Sequence, residues 1–236
     1  MSGPRLAPQV ADPDRPGFKL DLARCVGCGA CVLACRIENE LPTGVSWRRV
    51  LQVNRPRIGG GPTYHLSVAC HHCESPPCAV ACPSGAIKKT SDGLVLLETD
   101  RCIGCRYCEL ACPFGAPSFD PAKGVMTKCN LCNHRLAMGL SPACVAACPT
   151  GALGFLPPGA EEGAQAKDGP GKGAREEEDS GERPFHPAVE IPGFGDPAGA
   201  GPGFWVSDPG GALRSEWFLD LKALLGLPTE ETDDLF

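Results

Sequence analysis

Apolar residues along this chain occur in short runs, which are separated by stretches rich in glycine and proline. Between Cys82 and Cys102, the segments GAIKKT and LVLLE flank Ser91-Asp92-Gly93, a pattern that predicts a β-hairpin. The segments VLAC, AVAC and ELAC lie near cysteine-rich loops and predict single helical turns. The pattern therefore predicts a loop-rich α+β fold in which small hairpins and helices brace the loops.

The C-terminal third has a different pattern. Residues 157–183 are dense in glycine and charge and poor in large apolar residues, which predicts a flexible acidic linker. Residues 184–236 predict an extended tail that contains one amphipathic helix at about 212–226. That helix is too short to cross a bilayer, so we expect no direct membrane span. Its apolar face, which includes Trp217, is expected to dock on this chain's own core or on a partner subunit.

Composition narrows the possible functions. The 236 residues carry a formal net charge of -6, which argues against nucleic acid as a partner. The 16 cysteines occur in a chain whose first residues lack a secretory pattern, and a reducing cytoplasm argues against a disulfide framework. Aromatic residues make up only 6% of the chain, so we expect bound metal to supplement apolar burial.

The cysteines fall into four sets of four, and no cysteine is left over. The first and third sets have the spacing C-x2-C-x2-C-x3-C, whereas the middle gap is four residues in the second set and eleven in the fourth. A C-P-x-G-A motif begins at the last cysteine of the second, third and fourth sets, which indicates a repeated unit. The sets are Cys25, Cys28, Cys31 and Cys35; Cys70, Cys73, Cys78 and Cys82; Cys102, Cys105, Cys108 and Cys112; and Cys129, Cys132, Cys144 and Cys148.

The tight spacing favours 4Fe-4S clusters. Structural zinc normally takes its thiolates from two separated pairs, whereas a cuboidal cluster accepts three closely spaced cysteines at three different corners. Zinc in every site and inert thiols remain as minor alternatives. In a C-x2-C-x2-C-x3-C-P run the fourth cysteine binds the second cluster of a two-cluster unit. The sets must therefore work in pairs.

The short separation between the two middle sets predicts that they pair with each other, which leaves the two outer sets as the second pair. The alternative, in which the first set pairs with the second and the third with the fourth, stays open on spacing alone. The nested pairing predicts four 4Fe-4S clusters, with the ligands Cys25, Cys28, Cys31 and Cys148; Cys129, Cys132, Cys144 and Cys35; Cys70, Cys73, Cys78 and Cys112; and Cys102, Cys105, Cys108 and Cys82.

A family resemblance rests on four stretches within residues 18–156. They are CVGCGACVLAC, CHHCESPPCAVACPSGAI, CIGCRYCELACPFGAP and CNLCNHRLAMGLSPACVAACPTGAL. They resemble the four-cluster iron-sulfur subunits of the dimethyl sulfoxide reductase family. Some relatives carry tryptophan at one cysteine of the third set and hold a three-iron cluster there, whereas this chain has Cys105, which implies four complete clusters.

The resemblance implies two ferredoxin-like, two-cluster modules, one inserted in the other, preceded by an extension at residues 1–17. The outer module comprises residues 18–69 and 113–156, and the inner module comprises residues 70–112. The resemblance also implies two partners. The outer cluster pair faces a molybdopterin-containing catalytic subunit, and the inner pair faces a membrane anchor subunit with a quinone site.

The expected function is single-electron transfer by a non-catalytic subunit. Every thiol is assigned to metal, and no histidine lies at a suggestive spacing from a serine or carboxylate, so no catalytic residue is predicted. The resemblance implies redox chemistry of sulfoxides or sulfur compounds. It also implies a position on the bacterial cytoplasmic membrane through partner subunits, at the cytoplasmic face, with the periplasmic face as the alternative. The functional alternative is a free polyferredoxin.

Positive residues near the cysteines are candidates for tuning the clusters, because a nearby cation stabilises the more negative reduced state. Arg101 and Arg106 flank ligands of the third set, and Lys128 precedes Cys129. We predict that Arg106, inside the loop of the third set, raises the reduction potential of that cluster.

Overall fold

The computed structural model describes residues 15–53, 63–158, 185–187 and 204–207. The predicted N-terminal extension lies outside these residues except for its last three. The predicted acidic linker, apart from residues 157 and 158, and the predicted helix at 212–226 lie outside them as well. All sixteen cysteines lie within the described part of the chain.

The described residues form a mixture of short strands and helices, which confirms the α+β class. The strands are β1 (Gly17–Asp21), β2 (Arg48–Val53), β3 (Tyr64–Ala69), β4 (Ile87–Lys89), β5 (Val95–Leu97), β6 (Ser118–Asp120), β7 (Val125–Thr127), β8 (Leu153–Leu156), β9 (Phe185–Pro187) and β10 (Phe204–Ser207). The helices are α1 (Ala30–Glu38), α2 (Pro77–Val80), α3 (Tyr107–Ala111), α4 (Asn133–Leu136) and α5 (Ala143–Ala146), with a single 3-10 turn at Thr99–Arg101.

A four-stranded sheet joins distant parts of the chain in the order β8-β1-β10-β9. Strand β1 pairs antiparallel with β8, with Phe18 opposite Phe155 and Leu20 opposite Leu153. It also pairs in parallel with β10, where Leu20 lies opposite Val206. All five of these side chains are buried. Since β1 precedes the first cysteine set and β8 follows the fourth, the sheet brings the outer sets to the same end of the molecule.

Three antiparallel hairpins complete the strand pairing of the described residues, namely β2-β3, β4-β5 and β6-β7. The hairpin predicted around Ser91-Asp92-Gly93 is confirmed as β4-β5, in which Ile87 pairs with Leu97. Gly93 has a φ of 80°, a left-handed conformation that glycine adopts without steric cost. Val95 on this hairpin is fully buried, so the hairpin is anchored to the core.

The predicted helical turns beside the cysteines are confirmed, but the first is longer than the others. Helix α1 has 9 residues and includes Cys35. Helix α3 ends before Cys112, whose φ of -83° and ψ of 113° are extended. Proline disfavours the helical conformation of the residue that precedes it, and Pro113 follows Cys112, whereas Arg36 follows Cys35. The missing proline therefore lets α1 continue past its last cysteine.

The buried core is built largely around the cysteines. One hydrophobic cluster surrounds the four-stranded sheet and the β2-β3 hairpin, and it includes Phe18, Leu66 and Phe155. A smaller cluster contains Ile87, Val95 and other residues of the two short hairpins. Within the described residues, no helix has the length and apolar character that a membrane span requires.

Candidate metal centres

Each cysteine set begins with a loop that turns sharply before its second cysteine. The residue at that position has a left-handed backbone in all four loops, with φ of 69° at Gly27, 45° at His72, 70° at Gly104 and 58° at Leu131. The left-handed conformation costs a residue with a Cβ about 1–2 kcal/mol. His72 and Leu131 adopt this conformation despite its cost, at the same loop position as Gly27 and Gly104. Such a turn lets neighbouring cysteines face one enclosed space.

Gly104→Ala tests how tightly the third loop is constrained. An added Cβ would overlap the backbone oxygen of Gly124, and the φ of 70° is unfavourable for alanine. We expect a lower melting temperature and loss of iron from the cluster at the third set. Gly29→Ala is the matched control, since its φ is 76° but nothing lies within 4 Å of the added Cβ. The control should lose only about 1–2 kcal/mol of stability. Equal iron loss in both variants would contradict the role of the Gly124 contact.

The C-P-x-G-A motifs form turns that aim backbone N–H groups at the preceding cysteine. After Cys82, Gly85 adopts a φ of 61° and its N–H donates to the Cys82 carbonyl at 3.2 Å. The next N–H, of Ala86, donates to Cys82 Sγ at 3.3 Å. Such bonds favour the charged thiolate, the form that binds iron. The same bond runs from the Ala116 N–H to Cys112 Sγ at 3.4 Å. At Cys148 the donor is one residue further along, with the Leu153 N–H at 3.4 Å from the sulfur.

Two cavities in the inner part of the chain are each lined by four cysteines. Both cavities are small and partly open to the surface. The cysteines that line the first are Cys82, Cys102, Cys105 and Cys108, and those that line the second are Cys70, Cys73, Cys78 and Cys112.

The outer sets meet where α1 packs against α5. Burial raises the pKa of Cys35 to about 12, and the neighbouring charges of Cys144 and Cys132 add to the effect. Burial likewise raises the pKa of Cys25. The cysteines whose charges oppose ionisation of Cys25 are Cys31, Cys148 and Cys28. The structure thus places the last cysteine of each outer set beside members of the other outer set.

The chemistry of these thiols fits a thiolate-ligated cluster. Burial raises the pKa of Cys78 to about 12 and that of Cys108 to about 11, and facing thiols add to both shifts. Thiols that face one another in this way need a cation between them in order to ionise together. For Cys82, burial acts in the same direction but is outweighed, since hydrogen bonds from Ser84 and the backbone lower its pKa. Iron in the enclosed space would supply the missing positive charge.

The structure changes which positive residues are the best candidates for tuning the cluster potentials. Arg106 is exposed, and its Nε donates to Glu109 Oε2 at 2.8 Å, so a carboxylate offsets its charge. This arrangement speaks against the predicted role of Arg106 as the residue that raises a cluster potential. Lys128 is buried and its Nζ donates to the carbonyl oxygens of Val95 and Cys129. Lys128 also lines the second cavity, so it lies next to the four cysteines of that cavity.

Sequence reasoning missed Arg48, a fully buried arginine on β2. Burial alone would lower the pKa of its guanidinium, but the thiolates of Cys144, Cys129, Cys31 and Cys35 hold that pKa above its ordinary value. No spacing rule links Arg48 to a cysteine, because the contact depends on which face of the β2-β3 hairpin points inward. The one signal in the sequence is an arginine pair at the start of an apolar strand, RRVLQV.

The two histidines beside Cys70 contribute no charge. Burial lowers the pKa of His71 to about 3, and the positive charges of Arg48 and Arg15 add to that effect. Burial also lowers the pKa of His72, whose Nδ1 accepts a hydrogen bond from the Val95 N–H at 2.9 Å. Both imidazoles are therefore neutral at pH 7 and serve packing and hydrogen bonding.

Comparison with known protein families agrees with these features. A 4Fe-4S dicluster domain matches residues 62–156, and a 4Fe-4S binding domain matches residues 18–38. The two matches include all four cysteine sets. They show that the chain contains ferredoxin-like domains that bind 4Fe-4S clusters.

Curated relatives extend the comparison over most of the described residues. A component of the anaerobic dimethyl sulfoxide reductase of Escherichia coli (strain K12) is 45% identical over 154 residues, covering 60% of this chain and 73% of the relative. The thiosulfate reductase electron transfer subunit of Salmonella typhi is 45% identical over 139 residues, covering 57% and 72%. A tetrathionate reductase subunit of Salmonella typhimurium is 40% identical over 140 residues, covering 58% and 56%. The chain therefore belongs to the iron-sulfur subunits of the dimethyl sulfoxide reductase family, and it is a non-catalytic electron-transfer subunit of an oxidoreductase complex.

Proposed function

We propose that the chain holds four 4Fe-4S clusters in the nested pairing. The four cysteines that line each inner cavity are those of one inner cluster, and the mutual proximity of Cys25 and Cys148 and of Cys35 and Cys144 supports the outer pair. The proposed ligand sets are Cys25, Cys28, Cys31 and Cys148; Cys129, Cys132, Cys144 and Cys35; Cys70, Cys73, Cys78 and Cys112; and Cys102, Cys105, Cys108 and Cys82.

The topology supports one two-cluster module inserted in another. Strands β1 and β8, which precede the first set and follow the fourth, pair with each other, and α1 packs against α5. Between them in sequence, α2 packs against α3 and the β4-β5 hairpin connects the two middle sets. We assign residues 18–69 and 113–156 to the outer module and residues 70–112 to the inner module.

The chain's own residues support electron transfer by holding the clusters and shaping their surroundings. The clusters supply one-electron chemistry when bound. The cysteine thiolates fix their positions, the C-P-x-G-A turns direct N–H groups to Cys82, Cys112 and Cys148, and the hydrophobic clusters keep water from the buried ligands. No proton donor or nucleophile is needed for electron transfer, which agrees with the absence of a predicted catalytic residue.

Electrons enter and leave at two exposed surfaces. Only Cys28 and Cys105 among the sixteen cysteines are exposed, and they belong to different modules. Near Cys28 lie the exposed side chains of Val26, Leu33 and Ile37, which we name the outer patch. Near Cys105 lie the exposed side chains of Val80, Ile103, Tyr107 and Leu110, which we name the inner patch. Exposed apolar groups beside a redox centre are typical of partner contacts.

The relatives' names indicate the class of reaction that the whole complex catalyses. Their reductases act on dimethyl sulfoxide, thiosulfate or tetrathionate, so we propose a sulfoxide or sulfur-compound oxidoreductase. We assign a molybdopterin-containing catalytic subunit to the outer patch and a quinone-reactive membrane anchor subunit to the inner patch. The chain then lies on the bacterial cytoplasmic membrane through these subunits, at the cytoplasmic face. A free polyferredoxin is disfavoured, since the relatives are named as components of reductases.

Charge substitutions in the patches test the partner assignment. Leu33→Asp should reduce co-purification of the catalytic subunit, and Leu110→Asp should reduce that of the membrane subunit, because each buries a carboxylate in an apolar contact. Ser91→Asp, in the exposed β4-β5 turn, is the matched control and should retain both partners. The measurement is untagged purification at native expression, followed by subunit quantification. A wild-type chain that migrates alone would contradict the subunit assignment.

A further inference from the structure

Arg48 is a buried cation without a carboxylate partner among the described residues. Only 1% of its surface is exposed, and its guanidinium lies 4.3 Å from the centre of the Phe18 ring. Its Nη1 donates to Ser67 Oγ at 2.9 Å, whereas Nε and Nη2 have no hydrogen-bond partner in the part of the chain that the structure describes. A buried guanidinium requires a nearby anion, because water is excluded and arginine stays charged.

The anions next to Arg48 are cysteine thiolates. The sulfurs that interact with its charge come from both outer ligand sets, so the guanidinium charge acts on ligands of both outer clusters. These residues are Cys31, which we assign to one cluster, and Cys35, Cys129 and Cys144, which we assign to the other.

Ser67 connects the guanidinium to one particular ligand. Arginine can only donate hydrogen bonds, so Ser67 Oγ accepts from Arg48, which leaves the serine O–H free to donate elsewhere. Cys31 Sγ lies 3.3 Å from Ser67 Oγ, and its thiolate can only accept. The Ser67 hydroxyl therefore accepts a hydrogen bond from Arg48 and donates one to Cys31. The positive guanidinium polarises this O–H group and so strengthens its hydrogen bond to the sulfur. Both Arg48 and Ser67 are held in register by the β2-β3 hairpin, at Arg48–Ala69 and Val50–Ser67.

We propose that Arg48 is a positioning residue that raises the reduction potentials of both outer clusters, and that Ser67 adds a further increase to the cluster of Cys31. The inference rests on the proposed nested clusters. Reduction adds one electron and no proton to a cluster, which makes it one charge more negative. Net charge and hydrogen bonds to sulfur are the levers by which a protein sets such a potential, and Arg48 supplies the first while Ser67 supplies the second.

The test is a redox titration of the full chain, isolated anaerobically and titrated with dithionite under paramagnetic resonance. Iron content is measured first, and signals are assigned with a ligand variant such as Cys28→Ala. Arg48→Gln should lower the reduction equilibrium constants of both outer clusters at least tenfold. For a one-electron couple, a tenfold change equals a fall of about 59 mV in the reduction potential. Ser67→Ala should lower that of the Cys31 cluster alone. Arg48→Lys, which keeps a charge, should shift the potentials less than Arg48→Gln.

Arg106→Gln is the matched control, since Arg106 is exposed and paired with Glu109, and it should leave the outer potentials unchanged. Fully loaded Arg48→Gln with unchanged outer potentials overturns the proposal, and so does an equal shift of all four clusters. If Arg48→Gln fails to retain its clusters, the Ser67→Ala variant tests the proposal instead. An unchanged reduction potential of the Cys31 cluster in Ser67→Ala then overturns the proposal. Failure to bind four clusters is seen separately, as a wild-type chain with fewer than about sixteen irons, four per cluster. Failure of the nested pairing is seen as Cys148→Ala and Cys28→Ala removing different signals.

Discussion

Replacing Cys148 with alanine is expected to abolish the cluster that we assign to Cys25, Cys28 and Cys31, or to convert it to a three-iron form. Cys148 lies more than a hundred residues from these cysteines in sequence, but its charge acts on Cys25 in the folded chain. A cluster that loses one of four protein ligands loses a corner iron or the whole cube. Iron content should fall by at most one cluster, and one set of paramagnetic signals should disappear.

The identity of the missing signal discriminates between the two possible pairings. In the nested pairing, Cys148→Ala and Cys28→Ala remove the same signal, and Cys144→Ala removes a different one. In the alternative pairing of first with second and third with fourth sets, Cys148→Ala would instead match Cys105→Ala. The comparison needs only the four variants, each titrated under the same conditions. A match between Cys148→Ala and Cys105→Ala would contradict the nested assignment.

Removal of all clusters is expected to unfold the chain rather than leave an empty fold. Helices α2 and α5 have 4 residues each, which is far below the length at which a helix is stable alone. The larger hydrophobic cluster includes seven buried cysteines, so without iron much of the core is thiol facing thiol. When a metal site forms only in the folded state, the binding free energy of the metal becomes folding free energy.

The measurement is near-ultraviolet circular dichroism and limited proteolysis before and after anaerobic chelation. We expect loss of the near-ultraviolet signal and rapid cleavage within residues 63–158, both reversed by reconstitution with iron and sulfide. The Ser91→Asp chain with its clusters retained is a control for the effect of surface charge on cleavage. A chelated chain that keeps its near-ultraviolet signal and protease resistance would show that the protein core folds without iron.

The parts of the site that could be predicted from sequence are those formed within a few residues. Three cysteines in the seven residues from Cys25 to Cys31 constrain a loop locally, so their spacing was enough to favour a 4Fe-4S cluster. The β4-β5 hairpin was predictable for the same reason, because its turn residues lie between two short apolar runs. The role of Arg106 stays a prediction, and its pairing with Glu109 could not be read from its adjacency to a ligand in sequence.

Contacts between distant segments required the folded chain. The pairing of β10 with β1 and the burial of Arg48 depend on the register and facing of strands, and a one-residue slip would reverse which side chains point inward. Spacing along the chain therefore establishes that the protein binds iron-sulfur clusters and how each loop is shaped. Tertiary structure establishes which distant cysteines and cations lie beside each loop, because electrostatic and packing energies depend on distance in space and not on separation in sequence.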